Sequence, residues 1–336
     1  MDFREDKLCA GKVSAVIPVY NGEDHLSGIL NSLLRQTYPY IEVILADDGS
    51  TDGTISVAES YIEKFQNRGY EYQIVRAIHK NASAAINQGL FYVTGEYLIW
   101  PDSDDVLEPE SVKKRVEFLQ EYPQYYCVRS LAYYFNGETG ISSEKADEKR
   151  GDLSREELFW DILESKTFVC CGCYMLRTEQ FFEIYPERKI PEYDVGQNFQ
   201  MLLPFMFRHK CPTIQEELYG VAVRMGSHSR RILTQAEEEK RYADFEDLVD
   251  EIAEICGIED HPSKRRLTKW KLKRRYRLAL KYDHKREAFR IFCKLCNCGD
   301  FHIYEAIREI IWVYVINDRM EDLFYAIYRK IFRKRW

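Results

Sequence analysis

Three aspartates stand within four positions at Asp102–Asp105, directly after the apolar segment Tyr97–Trp100. Neighbouring carboxylates repel one another, and without a balancing charge each raises the pKa of the next. A divalent cation that prefers oxygen ligands, such as Mg²⁺ or Mn²⁺, would remove this repulsion. The segment is therefore either a cation site or an acidic turn exposed to solvent.

Two more polar segments follow apolar runs, and both contain groups that can recognise a flat heterocyclic base. Pro18 and Tyr20 can pack against such a ring, and Asn21 follows them in the chain. The carboxylate of Asp47, which opens the DDGSTDGT segment, can accept a hydrogen bond from a ring imide. The alternative for Asp47 is a turn-forming role, which is also the role expected for its neighbour Asp48.

Strand-like and helix-like patterns alternate four times between residues 12 and 100. The near-continuous apolar runs are typical of parallel strands buried on both faces, and apolar residues at helical spacing predict the helices between them. This alternation predicts a doubly wound, mostly parallel α/β sheet. The segments TFVCCGCYML and EELYGVAV are predicted as further strands, and GQNFQMLLPFMF as a helix. Because ligands bind beyond the carboxyl ends of such strands, the three polar segments are expected at one edge of the sheet.

In this order and spacing, the segments IPVYN, DDGSTDGT, AAINQGL and DSDD resemble the motifs of glycosyltransferase family 2 over residues 12–130, with weaker similarity to about residue 230. The resemblance implies a GT-A fold and an inverting, nucleotide-sugar-dependent transferase of the bacterial polysaccharide-biosynthesis type. It also implies that Asp102 lies near the donor ribose and joins Asp104, the principal ligand, in binding Mn²⁺ or Mg²⁺. The other donor-binding residues are then Pro18, Tyr20, Asn21, Asp47 and Asn87.

The segment VRMGSHSRR at Val223–Arg231 is similar to the closing segment of that family. The resemblance implies that His228 contacts the metal and that Arg230 contacts the diphosphate. For Asp105 two roles stay open, which are contact with the metal through water and capping of the helix expected after Pro109.

A general base is also implied by the resemblance, usually the aspartate of a Glu-Asp pair at the start of a helix. Gln197 and Asn198 occupy the corresponding positions here, and neutral amides do not take up a proton as a carboxylate does. Asp194, three residues upstream of Gln197, is the preferred candidate base. Otherwise the acceptor or another residue supplies this function.

The function indicated is metal-dependent transfer of a sugar from a nucleotide-diphosphate donor, expected to be UDP-linked, to a glycan or lipid-linked acceptor. A nucleotide-sugar-binding scaffold without catalysis is one alternative, because it would explain the amides at Gln197 and Asn198. A sugar nucleotidyltransferase is the other alternative. It would need a glycine-rich phosphate loop after the first strand, where the chain reads IPVYNGEDH.

Charge is distributed unevenly along the 336 residues: the net charge is −7, yet residues 262–336 contain 21 Lys/Arg against 8 Asp/Glu. We predict a catalytic domain at 1–232 and a basic, aromatic-rich helical region at 233–336. The basic region is either a bundle with solvated faces or an attachment site for an anionic membrane surface. Nucleic acid is not expected as a partner, since no recognised binding module accompanies the charge.

Residues 1–11 are polar and carry no secretory signal pattern, and the apolar run 310–316 is too short to span a bilayer. The expected location is cytoplasmic, or peripheral at the inner face of the membrane. Ten cysteines, including clusters at 170–173 and 293–298, are predicted to be reduced. We interpret both clusters as structural, although the second, with His284 and His302 nearby, has a spacing compatible with zinc.

Overall fold

A computed structural model describes residues 7–139, 142–143, 151–223 and 233–298. Within these ranges the chain divides into two compact units. The first contains the described residues up to 223 together with Leu248–Cys256, and the second contains 233–247 and 257–298. One helix contributes to both units, so the domain boundary at 232/233 stays a prediction.

The strands of the first unit are β1 Cys9–Val19, β2 Ile41–Asp47, β3 Glu71–Arg76, β4 Gly95–Ile99, β5 Val106–Leu107, β6 Cys127–Asn136, β7 Ser142–Ser143, β8 Tyr174–Arg177 and β9 Thr213–Val223. They form a sheet with the order β3-β2-β1-β4-β8-β6-β9-β5, and β7 pairs with β6. The β1/β2, β1/β4, β2/β3 and β6/β9 pairs are parallel, whereas β8 is antiparallel to β4 and β6. The predicted doubly wound α/β sheet is confirmed.

The helices of the first unit are α1 Leu26–Leu34, α2 Thr54–Glu59, α3 Ile62–Arg68, α4 Ala82–Leu90, α5 Ser111–Glu121, α6 Phe159–Leu163, α7 Thr178–Ile184 and α8 Gln197–Arg208. Helix α9, Gln235–Ile255, contributes to both units, and α10 His261–Lys281 and α11 Lys285–Asn297 belong to the second. The helical character expected from Gln235 onward is confirmed for the described part of this region.

The strand order explains where a ligand site can form. After β1 the chain builds β2 and β3 on one side, and it then returns to place β4 on the other side of β1. This reversal separates the connections that leave β1 and β4 and opens a crevice at their carboxyl ends, the usual ligand position in such sheets. Residues Val13–Val19 of β1 are buried, as expected for a strand covered on both faces.

The segment TFVCCGCYML, predicted as one long strand, forms a strand only at Tyr174–Arg177. Before it, Cys171–Cys173 form a single 3₁₀ turn. Gly172 in this turn lies against the ring of Tyr219, and a Cβ at Gly172 would come within 2.0 Å of a ring carbon. The prediction of a continuous strand was therefore wrong, because the chain bends where another side chain occupies the space.

In the second unit, α10 and α11 enclose a small apolar core of Tyr276, Ala279, Leu280, Ala288, Ile291 and Leu295. The guanidinium of Arg274 lies over the rings of Tyr242, Phe245 and Trp270 at 4.4–4.8 Å. Among the described residues, no helix has the length and apolar composition to cross a membrane.

Candidate active site

A cavity opens at the carboxyl ends of β1 and β4. Its lining comes from the segments after β1, β2 and β4, from the first turn of α4 and from the start of α8. The lining residues are Pro18, Val19, Tyr20, Asp48, Ala82, Ala85, Asp102, Ser103, Asp104 and Gln197. The structure thus brings the three polar segments together at one cavity, as expected, and adds residues from α4 and α8.

The acidic turn Asp102–Asp105 presents two carboxylates, those of Asp102 and Asp104, to this cavity. Burial raises the pKa of Asp102 to about 6; hydrogen bonds from Cys171 and Gln197 oppose this shift, and the charge of Asp104 adds to it. The Gln197 amide donates to Asp102 Oδ1 at 3.2 Å. Negative charge is therefore concentrated where a cation would relieve it.

The carboxylates of Asp102 and Asp104 fit a hard divalent cation, since Mn²⁺ and Mg²⁺ bind oxygen ligands. Over residues 7–298 as described, no three His, Cys, Asp or Glu side chains converge into a metal site. Mg²⁺ is commonly held by one or two carboxylates together with substrate phosphates. The two aspartates fit that kind of site, in which a ligand completes the coordination.

Tyr20 provides an aromatic surface in the cavity, and His79 supports it from one side. The two rings are stacked, with centroids 4.0 Å apart and planes inclined by 16°. His79 Nδ1 lies 2.8 Å from Asp48 Oδ2, and Asp48 Oδ1 accepts from the Lys80 amide at 2.9 Å. Gly49 has a φ of +72° and lies so close to the His79 amide that a Cβ would approach it to 2.8 Å. Sequence reasoning missed His79, which carries no local signal for this contact.

Asp47 and Asp48 differ from the expectation. Asp47 is fully buried, accepts from the Ser50 amide at 3.1 Å and lies 3.9 Å from Arg76 Nε, whereas Asp48 lines the cavity. Successive side chains at a strand end point to opposite faces, so only one of the two neighbouring carboxylates faces the cavity. Of the two, Asp48 is the carboxylate that lines the cavity, and the contact of Asp47 with a base stays a prediction.

Two other candidate donor residues, Asn21 and Asn87, make hydrogen bonds within the chain. Asn21 (φ +49°) accepts from the Thr51 amide at 2.9 Å and joins β1 to the segment after β2. Asn87 is buried in α4; its amide donates to the carbonyl of Ile190 at 3.0 Å and accepts from that residue's N–H at 2.8 Å. These hydrogen bonds hold the segment before α8 against α4, and the donor contact of Asn87 stays a prediction.

The candidate base and the two amides lie on that same segment and on α8. Asp194 is exposed and accepts from Asn81 Nδ2 at 2.9 Å, and it is not among the residues that line the cavity. Gln197 does line it. Asn198 Oδ1 is buried and has no hydrogen-bond partner within the described residues. The base role therefore stays a prediction for Asp194.

Asp105 does not cap the helix that follows, and its contact with a metal through water stays a prediction. Its Oδ2 accepts from the Tyr219 hydroxyl at 2.6 Å, and its Oδ1 accepts from the Ala222 amide at 2.8 Å. The following helix begins at Ser111 with Glu110 as its N-cap. His228 and Arg230 lie outside the described residues, and their roles stay predictions.

The cysteines are free thiols. Cys171 and Cys173 are buried and Cys171 hydrogen-bonds Asp102, in keeping with a structural role, whereas Cys293 and Cys296 are exposed. His302, one of the histidines near that second cluster, is outside the described residues. The structural role and the zinc alternative for Cys293, Cys296 and Cys298 therefore both stay predictions.

Comparison with known sequences decides the family. The sequence pattern of Glycosyl transferase family 2 matches residues 14–184, about half of the chain, and this stretch contains the cavity residues except Gln197. The chain belongs to glycosyl transferase family 2. Its enzyme class is therefore glycosyltransferase, acting on nucleotide sugars.

One family 2 relative is TuaG of Bacillus subtilis (strain 168), named for teichuronic acid biosynthesis. It is 30% identical over 174 residues, which cover 51% of this chain and 64% of TuaG. The matched region thus spans slightly less than two thirds of that relative.

Two solved structures share the fold of this family 2 chain. TarS of S. aureus (residues 1–349, in complex with UDP-GlcNAc) aligns with a TM-score of 0.61 at 18% identity, covering 85% of this chain and 81% of TarS. The mannosyltransferase PcManGT of Pyrobaculum calidifontis, in complex with GDP-Man and Mn²⁺, aligns with a TM-score of 0.56 at 16% identity, covering 96% and 88%. The GT-A architecture expected from the motifs is confirmed.

Proposed function

We propose that this family 2 enzyme transfers a sugar from a nucleotide-diphosphate donor, expected to be UDP-linked, to a glycan or lipid-linked acceptor with inversion at the anomeric carbon. One observation carries the proposal: the ring of Tyr20 and the carboxylates of Asp48, Asp102 and Asp104 line the same cavity. An aromatic face, an acceptor for a ring imide and a pair of carboxylates are what the parts of such a donor require.

In the proposed complex the base stacks on Tyr20, and its imide N–H donates to Asp48. The ribose then lies toward Asp102, and the diphosphate lies between Asp104 and the first turn of α4. Ala82 and Ala85 leave room there, and a helix N-terminus favours negative charge. When bound by Asp102 and Asp104, Mn²⁺ or Mg²⁺ supplies positive charge that stabilises the leaving diphosphate.

Inversion requires the acceptor hydroxyl to attack the anomeric carbon from the side opposite the diphosphate. The carbon–oxygen bond to the diphosphate breaks as the bond to the acceptor forms, and a base takes the hydroxyl proton. Asp194 is the candidate for that base. Gln197, as a neutral amide, donates to Asp102 without adding negative charge beside it.

The donor is tested by thermal stabilisation of the full chain with UDP- and GDP-linked sugars, each with and without Mn²⁺. We expect stabilisation by UDP sugars that increases with Mn²⁺, because ligand binding to the folded state raises its stability. Stabilisation by GDP sugars alone would contradict the UDP assignment. The absence of stabilisation by any nucleotide sugar would contradict the proposed function.

The base is tested with Asp194→Asn. The substrate is a nucleotide sugar that stabilises the chain in the thermal assay. We expect its turnover, by hydrolysis or transfer, to fall by about 10²- to 10⁴-fold, the usual contribution of a general base. Donor affinity should stay within about twofold, since Asp194 is not among the residues that line the cavity. Glu187→Gln, at an exposed carboxylate between α7 and α8, is the matched control.

Unchanged turnover in Asp194→Asn would remove this residue from the mechanism. The scaffold alternative makes a different prediction, which is that the wild-type chain binds a donor yet neither hydrolyses nor transfers it with any acceptor offered.

We also propose that the basic region 262–336 attaches the enzyme to an anionic lipid surface, where a lipid-linked acceptor would be found. Helix α11 supports this proposal, because Phe289 is 68% exposed and the neighbouring basic residues Lys285, Arg286, Arg290 and Lys294 are exposed as well. An exposed aromatic ring among basic side chains suits the boundary between anionic head groups and acyl chains.

The lipid proposal is tested by sedimentation with phosphatidylserine-containing vesicles. Each basic residue near such a surface contributes about 1 kcal/mol, so Arg286→Glu/Arg290→Glu should weaken binding by roughly 30-fold or more. Lys7→Glu/Lys210→Glu makes the same change of charge at exposed positions of the first unit and should have a much smaller effect. Equal binding of both variants and the wild type would exclude this part of α11 as the contact.

A further inference from the structure

One hydroxyl group, that of Tyr219, forms hydrogen bonds with two residues of the acidic turn. Tyr219 on β9 donates its hydroxyl proton to Asp105 Oδ2 at 2.6 Å, and the hydroxyl oxygen of Tyr219 accepts from the Asp102 amide at 3.2 Å. The Asp105 amide donates to the Asp102 carbonyl at 3.3 Å and closes the turn. The Tyr219 hydroxyl therefore binds both ends of the segment that carries Asp104.

Tyr219 is itself held firmly. It is fully buried, pairs with Leu107 across the β5/β9 ladder and lies against Gly172, where even a Cβ would not fit. The carbonyl of Gly172 accepts from the buried guanidinium of Arg115 at 2.8 Å. Movement of the Tyr219 ring would consequently disturb a close-packed and hydrogen-bonded environment.

Asp105 is anchored on its other oxygen as well. Its Oδ1 accepts from the Ala222 amide on β9 at 2.8 Å, and the side chain is only 3% exposed. Neither Asp105 nor Tyr219 is among the residues that line the cavity. Their contacts instead determine where the carboxylates of Asp102 and Asp104 are placed.

We infer that Tyr219 and Asp105 are positioning residues that hold the acidic turn in the arrangement required to bind a divalent cation together with the donor diphosphate. This inference rests on the proposed function. Hydrogen-bonded groups that orient metal ligands typically change metal affinity 10- to 100-fold when they are replaced.

The test is a titration of the full chain with Mn²⁺ in the presence of UDP, in which electron paramagnetic resonance measures free Mn²⁺. Tyr219→Phe removes the hydroxyl and keeps the ring, and we expect its Mn²⁺ dissociation constant to rise about 10- to 100-fold. Donor turnover should recover at saturating Mn²⁺, which would not happen if the variant were simply misfolded. Tyr70→Phe, which removes another buried tyrosine hydroxyl contact at the opposite edge of the sheet, should leave Mn²⁺ affinity unchanged.

Two replacements of Asp105 distinguish positioning from direct participation of its charge. Asp105→Asn keeps an oxygen for the Ala222 amide and places an NH₂ that can donate to the Tyr219 oxygen, so its Mn²⁺ affinity should fall less than that of Asp105→Leu. Asp105→Leu removes both contacts and should behave like Tyr219→Phe. Wild-type Mn²⁺ affinity in Tyr219→Phe, or an equal loss in Asp105→Asn and Asp105→Leu, would overturn the inference. A wild-type chain that binds UDP but no Mn²⁺ would overturn the metal proposal itself, and this inference with it.

Discussion

Asp104→Ala is expected to abolish the Mn²⁺-dependent part of donor binding and to lower donor turnover by at least about 100-fold. Asp104 is one of two carboxylates that the acidic turn presents to the cavity. Removing one fixed group that stabilises charge in a transition state commonly reduces turnover by about 10²- to 10³-fold. The measurement is thermal stabilisation by UDP with and without Mn²⁺, followed by turnover of the best donor.

Asp24→Ala is the matched control for Asp104→Ala, because it removes an exposed carboxylate that does not line the cavity. Metal-free binding of UDP should survive in both variants, since Tyr20 and Asp48 are unchanged. Full Mn²⁺-dependent stabilisation in Asp104→Ala would refute Asp104 as the principal ligand. If Asp104→Ala no longer binds UDP even when Mn²⁺ is absent, Asp104 contacts the nucleotide directly.

Glu42→Ala is expected to destabilise the first unit by about 3–5 kcal/mol, the usual effect of removing one partner from a buried ion pair. Glu42 is 3% exposed and lies at the opposite edge of the sheet from the cavity. It accepts from the Thr94 amide at 2.7 Å, from the Gly95 amide at 3.1 Å and from the Ser14 hydroxyl. Its other oxygen lies 3.5 Å from the buried ammonium of Lys12. All these groups would lose their common acceptor.

Glu71→Ala supplies a control within the same cluster. Glu71 also pairs with Lys12, at 2.7 Å, but its side chain is 63% exposed. Lys12 keeps Glu42 at 3.5 Å and the Thr94 hydroxyl at 3.1 Å in this variant, so its urea midpoint should lie between those of Glu42→Ala and the wild type. Equal urea midpoints for Glu42→Ala and Glu71→Ala would show that the buried network does not stabilise β1, β2 and β4 as we infer.

The sequence alone predicted the sheet, the edge at which the site forms and the family. These predictions depend on the order of apolar runs and on polar groups at strand ends, and both are local properties of the chain. The positions of Tyr20, Asp102 and Asp104 in one cavity follow from them, because parallel strands place their carboxyl ends together.

Only the tertiary structure decided which neighbouring side chain faces the cavity. Asp47 and Asp48 are adjacent in sequence, and a difference of one residue at a strand end reverses the direction of the side chain. The partners of the two carboxylates, Arg76 near Asp47 and His79 on Asp48, lie about 30 residues away in sequence and carry no local signal.

Contacts between distant parts of the chain were equally unpredictable. Asn87 holds Ile190, Gln197 donates to Asp102, and Tyr219 binds Asp105 across 114 positions of sequence. Nothing at either end of these contacts signals its partner, because hydrogen-bond partners are chosen by the packing of the folded sheet. The sequence therefore determined which strand ends and which acidic turn form the site, and the tertiary structure determined which of their side chains face the cavity and how they are held.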